Sequence, residues 1–141
     1  MGKSRRSSPL ALDHVAIAVE DATALALVFK TLFGLETDAP ENVGLHRLRF
    51  VQTAGTSVEL VEPVSADAPV AKFLAAHGTA LHHICFGVDD IDASLAALRS
   101  RGVRLIDEQP RPGAHGSRIA FLHPSSTGGV LVEIKQEQAR S

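Results

Sequence analysis

Apolar and polar positions alternate in short runs along the chain, and one such run occurs twice. Leu12-Asp13-His14-Val15-Ala16-Ile17-Ala18-Val19 ends on Glu20-Asp21, and Leu81-His82-His83-Ile84-Cys85-Phe86-Gly87-Val88 ends on Asp89-Asp90. A two-residue period predicts a half-buried strand, and an acidic residue at its end predicts a helix cap. Helical spacing follows in both copies. Ala22 to Phe33 carries Leu25, Val28, Phe29 and Leu32 before Gly34, and Ile91 to Arg101 carries Leu95 and Leu98 before Gly102. Glycine just past the last apolar turn is the usual left-handed helix stop. Three further strands are expected in each half. In the first they are a weak one near Leu35, then Leu45 to Val51 and Thr56 to Val61; in the second, Val103 to Ile106, Arg118 to Leu122 and Gly129 to Lys135. Ala68 to His77 has no counterpart and reads as a connector helix, with Pro69 in its first turn and Gly78 at its end. The expectation is an α+β fold of two tandem βαβββ modules, residues 10–64 and 80–136, with a disordered leader (1–9) and a tail (137–141).

Strand parity separates two faces. His14, Ala16 and Ala18 share one face of the first strand, and Val15, Ile17 and Val19 share the helix-facing one; His83 and Ile84 split in the same way. Glu59 and Glu133 occupy matching places in the last strands, opposite the apolar Val58/Leu60 and Val132/Ile134. A pseudo-twofold axis would bring His14, Glu59, His83 and Glu133 to one point. A carboxylate within an apolar strand is costly unless it is paired or bound to metal. Two imidazoles and two carboxylates suit one divalent ion, Co, Mn, Ni, Zn or Fe, with coordination positions left for substrate. The same parity puts Leu48 and Phe50 with His46 on the apolar face and turns Arg47 to the cleft. His82 has the opposite parity to His83 and reads as structural, while His46, His77, His115 and His123 read as surface or loop residues.

Composition narrows the classes. At 141 residues, 45% hydrophobic and 21% charged, the chain fits one soluble domain, and a net charge of -2 gives no general reason to expect nucleic acid or an anionic membrane as partner. No apolar run reaches the ~20 residues of a membrane helix. The single cysteine, Cys85, excludes an internal disulfide and suits a reducing cytosol. Lys3, Arg5 and Arg6 lie in the leader. A cytoplasmic location is expected, or the mitochondrial matrix if the source is eukaryotic.

The chain resembles the vicinal oxygen chelate superfamily and, within it, the methylmalonyl-CoA epimerase family. The resemblance rests on Leu12 to Val19, Val58-Glu59-Leu60-Val61-Glu62-Pro63, Leu81 to Ile84 and Val88 to Ile91. It rests above all on Gly102 to Pro124, with the loop Arg111-Pro112-Gly113-Ala114-His115-Gly116, and on Gly128 to Glu133. It implies an open, cleft-bearing mixed sheet, no organic cofactor, cobalt as the favoured ion and an acyl-CoA substrate. The activity it implies is interconversion of (R)- and (S)-methylmalonyl-CoA, with Glu133 as both ligand and base. Some members use a second glutamate where this chain has Arg47, which leaves the second proton donor unassigned. Arg47 is a candidate partner for the substrate carboxylate, and by analogy Ser117 and Arg118 lie near that group. The superfamily commonly forms homodimers, so a homodimer is expected, with Val70 to Ala76 as a contributing surface. The alternatives are a glyoxalase-like lyase or isomerase on the same metal scaffold, an iron-dependent ring-cleaving dioxygenase, and a non-enzymatic resistance module that binds small molecules.

Overall fold

A computed structural model describes residues 9–139; the leader up to residue 8 and residues 140–141 lie outside the described residues. The first half runs β1 (Leu12–Ala18), α1 (Ala22–Phe33), β2 (Glu41–Val43), β3 (His46–Val51) and β4 (Ser57–Pro63). After α2 (Pro69–His77), the second half runs β5 (Ala80–Gly87), α3 (Ile91–Ser100), β6 (Arg111–Pro112), β7 (Arg118–Leu122) and β8 (Val132–Gln136). All eight strands form one mixed sheet in the order β2-β3-β4-β1-β5-β8-β7-β6. Each half pairs its first and last strands in parallel, and the halves join through the antiparallel β1–β5 pair. The expected two-module α+β fold is the one observed. The strands expected near Leu35 and at Val103 to Ile106 are reduced to single bridges, Thr37 with Val51 and Leu105 with Leu122.

The helices begin alike because the sequence repeats. Asp21 and Asp90 cap α1 and α3 through the amides of Ala24 and Ala93, each at 3.0 Å. The first helical amides, Ala22 and Ile91, donate to the side chains of Glu62 and Gln136, each at 2.9 Å. α1 buries Ala22 and Ala26, with Leu25 and Phe29 packed alongside, against Ile17, Val19, Val58 and Leu60. Val28 and Leu32, expected in that stripe, are 45% and 65% exposed. α3 packs Ile91 and Leu95 on Ala120, Leu122 and Ile134.

The connector decides the other face. α2 lays Val70 and Leu74 on Ala16, Ala18, Leu48 and Val61, so the concave side of the sheet carries a core of its own. Val70 and Leu74 are spent inside the chain. The outer edges of the sheet curl toward each other. Glu41 on β2 accepts the His115 amide at 3.1 Å, and the rings of Phe50 and His115 are 5.2 Å apart. Among the described residues no helix is long and apolar enough to cross a membrane.

Candidate metal centre

The concave face holds a cleft of about 650 Å³. His14, Glu59, His83 and Glu133 meet at its floor, all four less than 10% exposed. The Nε2 atoms of His14 and His83 lie 3.3 Å apart, and Glu133 Oε1 lies 3.0 and 3.1 Å from them. Glu59 Oε1 is 3.6 Å from each nitrogen. His14, His83 and Glu133 thus come together as one donor cluster, and Glu59, the fourth expected ligand, stands beside it, farther from the two nitrogens than Glu133. An ion with bonds of about 2.1 Å sets neighbouring donors about 3.0 Å apart, so these spacings suit one small divalent ion. Each imidazole also meets a phenylalanine edge-on at equivalent places, His14 with Phe50 at 5.7 Å and His83 with Phe121 at 5.1 Å. Both contacts limit rotation of the ligand rings.

The residue before each histidine turns out to matter. Along the β1–β5 ladder the pairing skips Asp13 between Leu12 and His14, and skips His82 between Leu81 and His83. Such bulges re-aim side chains. Asp13 therefore reaches His14 Nδ1 at 2.7 Å, and His82 Nδ1 reaches His83 Nδ1 at 2.8 Å. A partner on Nδ1 keeps the ring proton there and turns the Nε2 lone pair inward, as a metal ligand requires. His82 lines the cleft, which corrects the parity expected for it: a bulge cancels the alternation on which that reading rested. The sequence signal for both outer residues was adjacency to the repeated histidine.

The electrostatics favour a cation at this point. Burial opposes a charge on His14, yet hydrogen bonds to Asp13 and Glu133, with the charges of Glu59 and Glu133, hold its pKa up at about 9. Burial likewise opposes the Glu133 carboxylate, but hydrogen bonds from His14 and His83 bring it down to about 2. These shifts favour positive charge on His14 among the carboxylates, the sign a bound cation would carry. Burial pushes the Glu59 pKa upward, against the pull of both histidines. Asp13, His14 and Cys85 also lie close together, but burial drives the Cys85 thiol pKa up, so it stays protonated and is a poor ligand.

The expected substrate residues divide. Ser117 lines the cleft, 2% exposed, and its hydroxyl has no hydrogen-bond partner. A β-carbon on Gly113 would stand 2.7 Å from that hydroxyl, so this turn requires glycine to pack beside it. Arg47 and Arg118 do not enter the cleft. Arg47 pairs with Glu62 at 3.0 Å, beside the start of α1, and Arg118 grips Asp92 of α3 at 2.9 and 3.1 Å. The expected parity of Arg47 is thereby corrected. Leu48 and Phe50 face the cleft because α2 and the ligand His14 cover them, which turns Arg47 to the α1 side. His46, expected on the other face, lines the cleft. Burial and the Arg111 charge lower its pKa. Lys135, overlooked in the sequence, also lines it; its ammonium lies 3.1 Å from Asp13 and 5.8 Å from the Phe50 ring centre. Its two-residue spacing from Glu133 on β8 was the available signal.

Residues 13–121 match the family model of the Glyoxalase/Bleomycin resistance protein/Dioxygenase superfamily. The chain is 38% identical over 128 residues to mitochondrial methylmalonyl-CoA epimerase of Bos taurus, spanning 89% of this chain and 73% of that protein. It is also 38% identical over 129 residues to ethylmalonyl-CoA/methylmalonyl-CoA epimerase of Cereibacter sphaeroides, spanning 89% of this chain and 96% of that protein. A solved methylmalonyl-CoA epimerase in complex with methylmalonyl-CoA and NH4+ superposes with a TM-score of 0.87 at 36% identity, covering 94% of this chain and 97% of the other. The chain belongs to the methylmalonyl-CoA epimerase family of the glyoxalase/bleomycin resistance protein/dioxygenase superfamily.

Proposed function

We propose that this protein interconverts (R)- and (S)-methylmalonyl-CoA by removing and returning the C2 proton. The observation that carries this reading is the convergence of two imidazole nitrogens and Glu133 Oε1 within 3.3 Å of one another on the floor of a largely apolar cleft. Relatives with that activity match nearly the whole chain.

His14, Glu59, His83 and Glu133 would hold the divalent ion. Cobalt is the first choice, and manganese, nickel, zinc and iron suit the same donors. When bound, the ion supplies Lewis-acid polarisation of the thioester carbonyl, which acidifies C2. The chain's own residues do the rest. Glu133 is ionised at neutral pH and has a lone pair free for the C2 proton. The orphan hydroxyl of Ser117 supplies a hydrogen bond to the substrate carboxylate, and the Lys135 ammonium adds positive charge in the same cleft. Leu48, Phe50, Val61 and Phe121 exclude water around the reacting carbon. Arg47 and Arg118 are given no role in substrate binding.

The test is incubation of cobalt-loaded protein with one epimer of methylmalonyl-CoA in deuterated water, following C2 deuteration and the epimer ratio. Deuteration with epimerisation is expected. Fully metallated protein that does neither would reject the reading in favour of another substrate on this scaffold, such as a glyoxalase-type one.

A further inference from the structure

Lys135 is 6% exposed, and a buried ammonium needs partners. Its Nζ lies 3.1 Å from Asp13 Oδ2, 3.3 Å from Glu137 Oε1 and 5.8 Å from the centre of the Phe50 ring. The Glu137 side chain is 66% exposed, so its share is that of a solvent-screened pair. Asp13 and Phe50 both touch His14. Asp13 presents the same oxygen, Oδ2, to His14 Nδ1 at 2.7 Å, and Phe50 meets the imidazole edge-on at 5.7 Å. An ammonium within about 6 Å of a ring centre is attracted to the ring face. One side chain on β8 therefore holds both groups that fix the orientation of a ring on β1.

The other half holds its histidine by different means. Glu59 and Glu133 are equivalent, so the counterpart of Lys135, two residues further along, is Val61. Val61 is buried in one cluster with Val70 and Leu74 of α2. The counterpart of Asp13 is His82, whose Nδ1 backs His83 at 2.8 Å, and α2 steadies His82 through the Phe73 ring at 4.8 Å. α2 has no counterpart in the chain. The Asp13 side chain is 22% exposed, and water competes with His14 for its oxygens. Lys135 does for Asp13 what the packed Phe73 ring does for His82.

Charge points the same way. Glu59, Glu133 and Asp13 put three carboxylates around the two histidines. A divalent ion balances two of these charges, and the Lys135 ammonium balances the third. Net charge left in a buried cluster is costly. Coulomb forces fall with distance, so the ammonium acts first on Asp13, at 3.1 Å, and only across that carboxylate and the imidazole on an ion held by Nε2. We propose that Lys135 is a positioning residue for the metal centre: it pins the Asp13 carboxylate and the Phe50 ring against His14, so that Nε2 is aimed at the ion's place before the ion binds. The proposal rests on the metal-dependent function proposed above, and it gives Lys135 no proton to transfer.

The test is a double-mutant cycle on cobalt affinity, measured by competition titration in wild type, Lys135→Met, Asp13→Asn and the double variant. Methionine keeps a long buried stem without the charge, and Lys135→Gln takes its place should that variant fail to fold. Melting temperatures of the metal-free proteins show which samples are folded. Lys135→Met should weaken cobalt binding about tenfold, and Lys135→Arg should stay within about threefold of wild type. In the Asp13→Asn background Lys135→Met should cause no further weakening, because the group through which it acts is gone. The visible spectrum of bound cobalt in Lys135→Met should shift in the same direction as in Asp13→Asn. Folded Lys135→Met with wild-type cobalt affinity would overturn the proposal, and so would losses that multiply in the double variant. A raised KM at unchanged cobalt affinity would also overturn it, leaving Lys135 as charge for the substrate alone. Wild type that binds no cobalt would instead reject the metal centre itself, so the two failures are distinguishable.

Discussion

Glu59 in the first half of the sheet stands 3.6 Å from His14 and His83, while its counterpart Glu133 in the second half stands at 3.0 and 3.1 Å. Burial drives the Glu59 pKa up, whereas hydrogen bonds overcome burial at Glu133 and bring it down to about 2. Behind the histidines the halves differ again. A carboxylate, Asp13, backs His14, and a neutral imidazole, His82, with its pKa lowered to about 4 by burial, backs His83. The walls differ too, with His46 on one side where Ser117 stands on the other. The duplicated βαβββ unit supplies convergence, because equivalent residues meet at the axis. The departures from symmetry place different groups on the two sides of the cleft, as a reaction that treats two faces of a carbon differently would require.

The sharpest way to break the comparison is to neutralise each carboxylate in turn. Glu133→Gln should slow both C2 exchange and epimerisation by about 10²–10⁴-fold at saturating cobalt. Glu59→Gln keeps an oxygen donor at the same place and should stay within about tenfold once metal is saturating. Equal loss in the two variants, followed by deuterium exchange, would show that the halves are not functionally distinct.

Removing either imidazole addresses convergence itself. His83→Ala, and equally His14→Ala, should lower cobalt occupancy after dialysis from near one per chain to a small fraction, measured by elemental analysis. Unchanged occupancy would take that histidine out of the centre.

The outer pair comes next. Asp13→Asn should weaken cobalt binding about 10–100-fold in a competition titration. His82→Asn retains an acceptor near the position of Nδ1 and should cost less, whereas His82→Leu should approach the Asp13→Asn loss. A His82→Leu protein with wild-type affinity would leave Asp13 alone in orienting a ligand.

The smallest effects belong to the symmetric pair on the helix side. Arg47→Ala removes a pair whose arginine is 43% exposed, and exposed pairs contribute about 0–1 kcal/mol. Its melting temperature should fall by no more than a few degrees, and KM should be unchanged. A large rise in KM would return Arg47 to the cleft.

Much of this was legible in the residues. The repeat, the caps at Asp21 and Asp90, the glycine stop at Gly34 and the four candidate ligands follow from periodicity and duplication, which are local properties of the chain. β7 occupies the span expected for it, Arg118 to Leu122, and α1 the span Ala22 to Phe33. What failed was the rule that the apolar face of a strand must meet its own module's helix. α2 covers the concave side, so Leu48 and Phe50 are buried there and Arg47 is turned away. Nor did alternation hold through β1 and β5, where bulges at Asp13 and His82 shift the pairing by one residue. The sequence by itself therefore determined the duplicated modules and the identity of the converging histidines and glutamates, since both are repeated along the chain. Only the tertiary structure decided which wall each remaining polar side chain faces. That depends on a helix packed from outside the module and on bulges created by pairing between the halves, contacts that no short stretch of sequence contains.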